Sequence, residues 1–592
     1  MKQIKKIVSI MLTLAMTLAM SVTVFATEPE ITVPSNTEKG QGDFTITLGL
    51  PGSGQGVTDY KDYDKYSYNA YQIFAGDLTT EKVLSNIVWG VGVDTTKVEE
   101  ALAKTSFAGK TPVEIAKLLD GKGFDDELAK EFAASISNCL AKTATGTSSV
   151  KYDSDDTSKV VGYEINNLAA GYYLVASDKI PNNGATTRYM MEVVGNVTAT
   201  PKSDVPTTDK KIVEGTDKVT TNEASIGDEV NYEITGTMPS NIADYKTYYY
   251  MFTDTLSKGL TYKEDSIKVT VNGVDVTKYF YKGVGEYNEA TGTTIEVGIL
   301  DLKALSLLTD LNVGEITKST KVVLTYTATL NENAVIAGEG NPNDVKLSYS
   351  NDPNNSGDGS TTPPENPDKP KPTHPTGETP KDEVVTYTTE LAILKTNEEG
   401  AILQGAEFTI TGNGVKVSLV TTETFESDEN GAYWKLANGS YTTIAPVTAD
   451  DESNNEADYD LEAGKFTLVR TITTAQDPTK AVATIDADGR VTFTGLGAGT
   501  YTIEETKTPA GYNTIEPITF TVTFDETSKT FSADKVSLGV NNTLETTIVN
   551  KKGSLLPSTG GIGTTIFYII GGILVVGAAI LLITKKRMSS EA

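Results

Sequence analysis

Two apolar runs, one at each end, limit what the residues between them can become. Lys2, Lys5 and Lys6 precede an apolar run over about residues 7–22. Val24-Phe25-Ala26 then supplies the small or branched side chains of a cleavage site, completing the three parts of an export signal over residues 1–26. At the other end, about residues 562–583 are apolar and Lys585-Lys586-Arg587 follows. Roughly 20 apolar residues cross a bilayer as a helix, and a basic cluster holds the tail on the inner side. The chain between is expected outside the cytoplasm, where disulfides are the usual staple. With one cysteine in 592 residues, no disulfide can form within it.

The same scarcity excludes much chemistry. One Cys and one His rule out a multi-His zinc site or a CxxC centre and argue against a Ser-His-Asp triad. Cys139 falls in helical step with Leu128, Phe132, Ile136 and Leu140, a core position. His374 lies in a Pro-rich stretch and is expected to be solvated. The runs Asp153-Ser154-Asp155-Asp156 and Asp486-Ala487-Asp488-Gly489 lack the full calcium-loop pattern and read as turns. No metal, cofactor or hydrolytic activity is expected. The net charge of −29 disfavours nucleic acid and suits a soluble surface protein.

Composition divides the chain into an N-terminal unit over 27–204, a second over 205–352, a Pro-rich linker over 353–384, a third unit over 385–552 and a terminal segment over 553–592. The first has short alternating runs such as Phe44-Thr45-Ile46-Thr47-Leu48 around a helical middle. There Thr111-Pro112-Val113-Glu114 reads as a capping box with Pro in the first turn, and Asp125 as the cap of the next helix. The second and third are strand-patterned, with turn pairs such as Asn430-Gly431 and Asp488-Gly489. An internal echo aligns Leu168-Ala169-Ala170-Gly171-Tyr172-Tyr173-Leu174-Val175 with Leu496-Gly497-Ala498-Gly499-Thr500-Tyr501-Thr502-Ile503. In that register Glu505 falls opposite Ser177.

In the third unit, Leu391-Ala392-Ile393-Leu394-Lys395-Thr396, Tyr501-Thr502-Ile503-Glu504-Glu505-Thr506 with Pro509-Ala510-Gly511-Tyr512, and Ile548-Val549-Asn550-Lys551 together resemble the collagen-adhesin B-type domain. That resemblance implies an isopeptide bond between Lys395 and Asn550, with Glu505 as the catalytic acid. Strand period agrees on its own terms, since residues two apart share a face. Lys395 is in step with Leu391 and Ile393, Glu505 with Tyr501 and Ile503, and Asn550 with Ile548. Polar groups on apolar faces are costly unless they satisfy one another. Burial also lowers a lysine pKa and raises a carboxyl pKa, giving a neutral nucleophile beside a protonated acid.

The second unit opens with Asp209-Lys210-Lys211-Ile212, contains Phe252-Thr253-Asp254-Thr255-Leu256 and closes with Tyr349-Ser350-Asn351-Asp352. It resembles the fimbrial domain of the same class that uses an aspartate, implying Asp254 as the acid and a Lys210–Asn351 bond. Phase leaves Lys211 open as the alternative, and the family pattern favours Lys210. The first unit lacks the acid, having Ser177, and has no in-phase lysine. By analogy with disulfides, closing a loop of ~100 residues contributes on the order of 4–5 kcal/mol.

Leu556, Pro557, Ser558, Thr559 and Gly560, then the apolar span and basic tail, resemble the cell-wall sorting signal cut by sortases between threonine and glycine. Val193-Val194-Gly195-Asn196-Val197-Thr198-Ala199-Thr200-Pro201-Lys202 resembles the pilin motif, with Thr200 in place of tyrosine and the upstream tryptophan missing. The whole resembles a sortase-assembled backbone pilin of Gram-positive bacteria. It implies three tandem immunoglobulin-like β-sandwiches, mainly β, the first with a helical insertion. It also implies Lys202 and Thr559 as the intersubunit linkage, and a location on the cell wall in a fimbrium. The implied partners are a pilus-specific and a housekeeping sortase, further copies of the chain, accessory pilins, peptidoglycan and host surface ligands. The alternative is a monomeric wall-anchored adhesin or accessory pilin.

Overall fold

The computed structural model describes residues 43–51, 62–122, 126–201, 203–412, 419–437, 441–442, 445–446, 459–474, 481–484, 489–539, 543–553 and 562–588. The export signal, Lys202 and the motif 556–560 with Thr559 lie outside them, as do Asp125 and Asp486-Ala487-Asp488. Two compact units meet in sequence at Thr388 and Thr389.

The first unit contains two sandwiches. In the first, one sheet runs Ser149–Tyr152, Val160–Leu168, Phe44–Leu48, Val197–Ala199. The facing sheet runs Leu84–Trp89, Ser67–Leu78, Gly171–Lys179, Arg188–Val193. Helices Val98–Leu102, Pro112–Leu119 and Glu127–Ile136 are inserted after Leu84–Trp89. Thr111 and Glu114 form the expected reciprocal capping box. The next helix is capped by Asp126, which accepts from the Leu128 N–H at 2.9 Å. Phe132 then stacks on Phe74 with ring centroids 5.5 Å apart. Cys139, in the 3-10 turn Ser137–Cys139, is buried in the same core. Burial pushes its thiol up to about 11, so it packs as a small apolar side chain.

In the second sandwich one sheet has the order Asp217–Val219, Thr208–Glu214, Glu229–Gly236, Val322–Leu330, Lys268–Val271, Val274–Asp275. The other has Thr221–Glu223, Asp382–Tyr387, Asn341–Ser350, Tyr250–Leu256, Thr293–Ile299, Tyr281–Val284. Strands such as Val322–Leu330 alternate buried and half-buried residues along their whole length, as a strand with one face on a core must.

Residues 353–384, expected to be a linker, are folded onto this sandwich. Thr376–Glu378 and Asp382–Tyr387 both pair with Asn341–Ser350, Ser348 facing Glu378 and Asn343 facing Val384. Ahead of them the chain is strapped down by Lys278–Glu365 and Lys369–Glu296 ion pairs, each 2.5 Å, and by the Thr247 N–H donating to Ser356 O at 3.0 Å. A Pro-rich composition removes side-chain periodicity without removing backbone partners, so the second domain runs on to Thr388. His374 is accordingly not solvated. It is half-buried, its Nε2 lies 2.8 Å from Ser350 Oγ, and burial lowers its pKa.

The second unit pairs an eight-stranded sheet with a five-stranded one. In the larger sheet Thr389–Asn397 lies between Arg490–Leu496, antiparallel, and Leu544–Asn550, parallel. The smaller is centred on Glu407–Gly412 and Gly499–Lys507. The internal echo has a structural counterpart. Tyr173 donates to Ala169 O and Tyr501 to Gly497 O, each four residues back and each at 2.8 Å. After residue 553 the described chain resumes as the helix Ile562–Met588. Its stretch Tyr568–Lys586, of mean hydropathy 2.2, is long and apolar enough to cross a membrane.

Candidate functional site

In the third domain the strand period places three polar side chains inward. Along Thr389–Asn397, Leu391, Ile393 and Lys395 are buried. Along Gly499–Lys507 so are Tyr501, Ile503 and Glu505, while Glu504 is exposed; along Leu544–Asn550, Ile548 and Asn550 are buried. Lys395 and Asn550 come from adjacent parallel strands, and Glu505 faces them from the other sheet. The Lys395 ammonium nitrogen donates to Asn550 Oδ1 and, at 3.1 Å, to Ile548 O. Asn550 Nδ2 donates to both Glu505 oxygens, at 2.9 and 3.1 Å, and Glu505 Oε1 is 3.9 Å from Lys395 Nζ. Burial brings the lysine down to about 8, against the opposing pull of the Glu505 charge. A nucleophile, an amide and an acid are thus in mutual contact in a water-poor site.

In the second domain the structure corrects the partner of the lysine. Lys210 is fully buried, in step with Ile212, and its Nζ contacts Asp254 Oδ2, Asn343 Oδ1 at 2.9 Å and Tyr326 OH at 3.2 Å. Lys211 is partly exposed and pairs with Asp209. Asn343, not Asn351, therefore meets the lysine. The reason is register. Asp254 lies opposite Val345, so Asn351 is six residues further along, ~20 Å away at ~3.4 Å per residue. Phase alone could not separate them, because both asparagines share the face of Val345, Leu347 and Tyr349. Register could have done so, had the pairing of Tyr250–Leu256 with Asn341–Ser350 been known. Burial lowers the Lys210 amine and raises the Asp254 carboxyl, outweighing the attraction between them.

Asn351 has another place. Its Nδ2 donates to Gly184 O at 3.3 Å, its backbone O accepts from the Thr186 N–H at 2.7 Å, and Thr186 Oγ1 donates to Asp352 Oδ1 at 2.8 Å. It thereby joins the second sandwich to the first, as do Asn182 and Glu378 (backbone N to O 2.9 Å). Gly377 sits in this seam, where a Cβ would come within 2.8 Å of Asn182 O. Ser177 of the first sandwich accepts from the Thr187 N–H at 2.9 Å. Among the described residues of that sandwich no buried lysine faces it.

Comparisons with known proteins fall on the same segments. The profile for the Gram-positive pilin backbone subunit 2, Cna-B-like domain, matches residues 226–353. A prealbumin-like fold domain matches 446–536, and the LPXTG cell wall anchor motif matches 548–590. The trypsin-resistant surface T6 protein of Streptococcus pyogenes serotype M6 is 27% identical over 402 residues, 66% of this chain and 70% of that protein. Among solved structures, the T6 backbone pilin of serotype M6 Streptococcus pyogenes is 16% identical, with a TM-score of 0.46 over 87% of this chain and 100% of that one. The major pilin SpaD from Corynebacterium diphtheriae is 16% identical, with a TM-score of 0.43 over 87% of this chain and 98% of that one.

Proposed function

We propose that the chain is a sortase-assembled backbone pilin of Gram-positive bacteria, a wall-anchored structural subunit of the pilus shaft, and that three bonds make the shaft. Lys395 joins Asn550 within the third domain and Lys210 joins Asn343 within the second. Thr559 of one subunit joins Lys202 of the next. The observation that carries the internal bonds is the burial of each lysine against a carboxyl and a carboxamide at once.

The third-domain geometry accounts for each step. Burial keeps a useful share of Lys395 neutral at physiological pH, so its lone pair can attack Asn550 Cγ. The proton leaving Lys395 passes to the Glu505 carboxyl group, which already touches Asn550 Nδ2. Glu505 returns a proton to that nitrogen, the C–N bond breaks, and ammonia leaves. One amide replaces another and the acid is regenerated. In the finished bond the lysine nitrogen no longer carries a charge, which removes the main cost of placing it in a core.

Between subunits, a sortase would hold Thr559 as an acyl-enzyme and Lys202 would take the acyl group. A pilus-specific sortase polymerises the chain, and a housekeeping sortase transfers the finished shaft to peptidoglycan. Accessory pilins and host ligands attach to this shaft. The support for Lys202 is its place in the sequence between the first two domains, next to Pro201, whose fixed φ limits the backbone there. A heterologous contact that does not close produces a filament. The test is an immunoblot of wall extracts. The wild type should give a high-mass ladder that Lys202→Ala collapses to monomer, with Lys202→Arg failing equally because guanidinium stays protonated. A ladder surviving Lys202→Ala moves the acceptor to another lysine. No ladder in the wild type favours a monomeric adhesin.

A further inference from the structure

The two internal sites differ in how the acid reaches the amide. In the third domain Glu505 touches the leaving nitrogen directly, at 2.9 and 3.1 Å. In the second domain the acid is an aspartate, one methylene shorter, and no hydrogen bond runs from Asp254 to Asn343 among the described residues. The gap is filled by a phenol. The Tyr326 hydroxyl donates to Asp254 Oδ1 at 2.7 Å and accepts from Asn343 Nδ2 at 2.6 Å. The other carboxyl oxygen, Oδ2, contacts the Lys210 amine. All four side chains lie on the sandwich interior, and Tyr326 is held there by a stack on Tyr232 with ring centroids 5.2 Å apart.

Resting on the Lys210–Asn343 reading, we propose that Tyr326 is a catalytic residue of the second-domain bond, a proton relay that lets an aspartate do the work a glutamate does alone in the third domain. The step balances as follows. Lys210 Nζ bonds to Asn343 Cγ, and the proton it loses goes to Asp254 Oδ2. The amide nitrogen, now pyramidal, acquires a lone pair. The Tyr326 hydroxyl hydrogen turns to that nitrogen and is transferred, while the proton carried on Asp254 Oδ1 replaces it on the phenol oxygen. The Cγ–Nδ2 bond breaks and ammonia departs. Asp254 ends as a neutral acid with its proton on the other oxygen, and Tyr326 ends as a phenol. Two further features fit this. Burial raises the Asp254 carboxyl, so it can start protonated, and raises Tyr326 well above its ordinary value, so the phenol keeps its proton.

The experiment follows ammonia loss by intact-mass spectrometry as the mature chain, recovered from inclusion bodies and kept in denaturant so that it has not yet folded, is refolded. The wild type should lose two ammonia molecules; a wild type losing only one, with the third-domain bond located by peptide mapping, overturns the second-domain bond itself. Tyr326→Phe keeps the ring stack and should lose the third-domain ammonia at the normal rate. Its second loss should slow on the order of 10²-fold or more, the scale of a positioned general acid–base group. Tyr326→Phe with Asp254→Glu should regain speed, because the longer acid reaches the amide nitrogen directly. A merely packing role for the hydroxyl predicts no such rescue. The proposal is overturned if Tyr326→Phe loses both ammonia molecules at the wild-type rate, or if the double variant is no faster than Tyr326→Phe.

Discussion

Asn343→Ala is the substitution that separates the structure from the simplest reading of the sequence. The bond it would remove spans a sequence separation of 133 residues. A cross-link closing a loop of ~100 residues stabilises by about 5 kcal/mol through the unfolded chain. For a domain of 150–250 residues each kcal/mol moves Tm by ~2–4 °C, so the second-domain transition should fall by roughly 10–20 °C. Calorimetry of the purified chain measures this shift, and intact mass counts the ammonia lost, one in place of two. Asn351→Ala should leave the mass deficit whole. It forfeits one long side-chain hydrogen bond to Gly184 O, about 1 kcal/mol, while the backbone contact to Thr186 survives. An Asn343→Ala chain still two ammonia molecules short, or an Asn351→Ala chain only one short, refutes the register argument.

Glu505→Ala should likewise remove one ammonia from the deficit while leaving the second-domain bond in place; peptide mapping across Lys395 and Asn550 checks it. The third-domain reaction should also depend on pH through Lys395. Only the neutral amine attacks, so below its value of about 8 the rate on refolding should fall about tenfold per pH unit and should level off above it. A rate that is flat between pH 6 and 8 contradicts the assignment.

The sequence carried much of the fold because strand period is local. Alternation alone places Lys395, Glu505, Asn550, Lys210 and Asp254 on buried faces, and the capping box at Thr111 needs only four residues. What it could not carry was pairing between distant strands. Asn343 and Asn351 are equivalent by phase and are distinguished only by Asp254 facing Val345 across the sheet. Tyr326 lies on a strand of the opposite sheet, with nothing in its neighbourhood to mark a polar role. The stretch 353–384 misled for a related reason. Its backbone finds partners on a strand already in place, and that is invisible to composition. The charges of the stretch are equally uninformative locally, since Glu365 and Lys369 have partners 87 and 73 positions away.

A cross-link at Asn343, as proposed, in place of one at Asn351 would change what the second domain does under load. If tension enters at Lys202 and leaves toward the third domain, the proposed Lys210–Asn343 bond would shield residues 211–342. The remainder, 344–388, stays outside the covalent path. Its geometry is weak, because Asn343 and Val384 are opposite each other in an antiparallel pair. Force applied at those neighbouring ends peels Asp382–Tyr387 and then Thr376–Glu378 away one hydrogen bond at a time. Thr221–Glu223, paired with Asp382–Tyr387 in parallel, and the Lys278–Glu365 and Lys369–Glu296 pairs resist only in part. The third domain differs. Its proposed bond would join adjacent parallel strands over a separation of 155 residues, leaving only short flanks free. Pulling single chains between Lys202 and the C-terminal end should therefore give one early low-force step from the second domain. Its length is at most about 160 Å, from roughly 45 residues at ~3.3–3.6 Å each. Asn343→Ala should convert that step into a several-fold longer one as the whole domain opens. A wild-type chain with no low-force extension would show that the strap, and not the cross-link, bears the load.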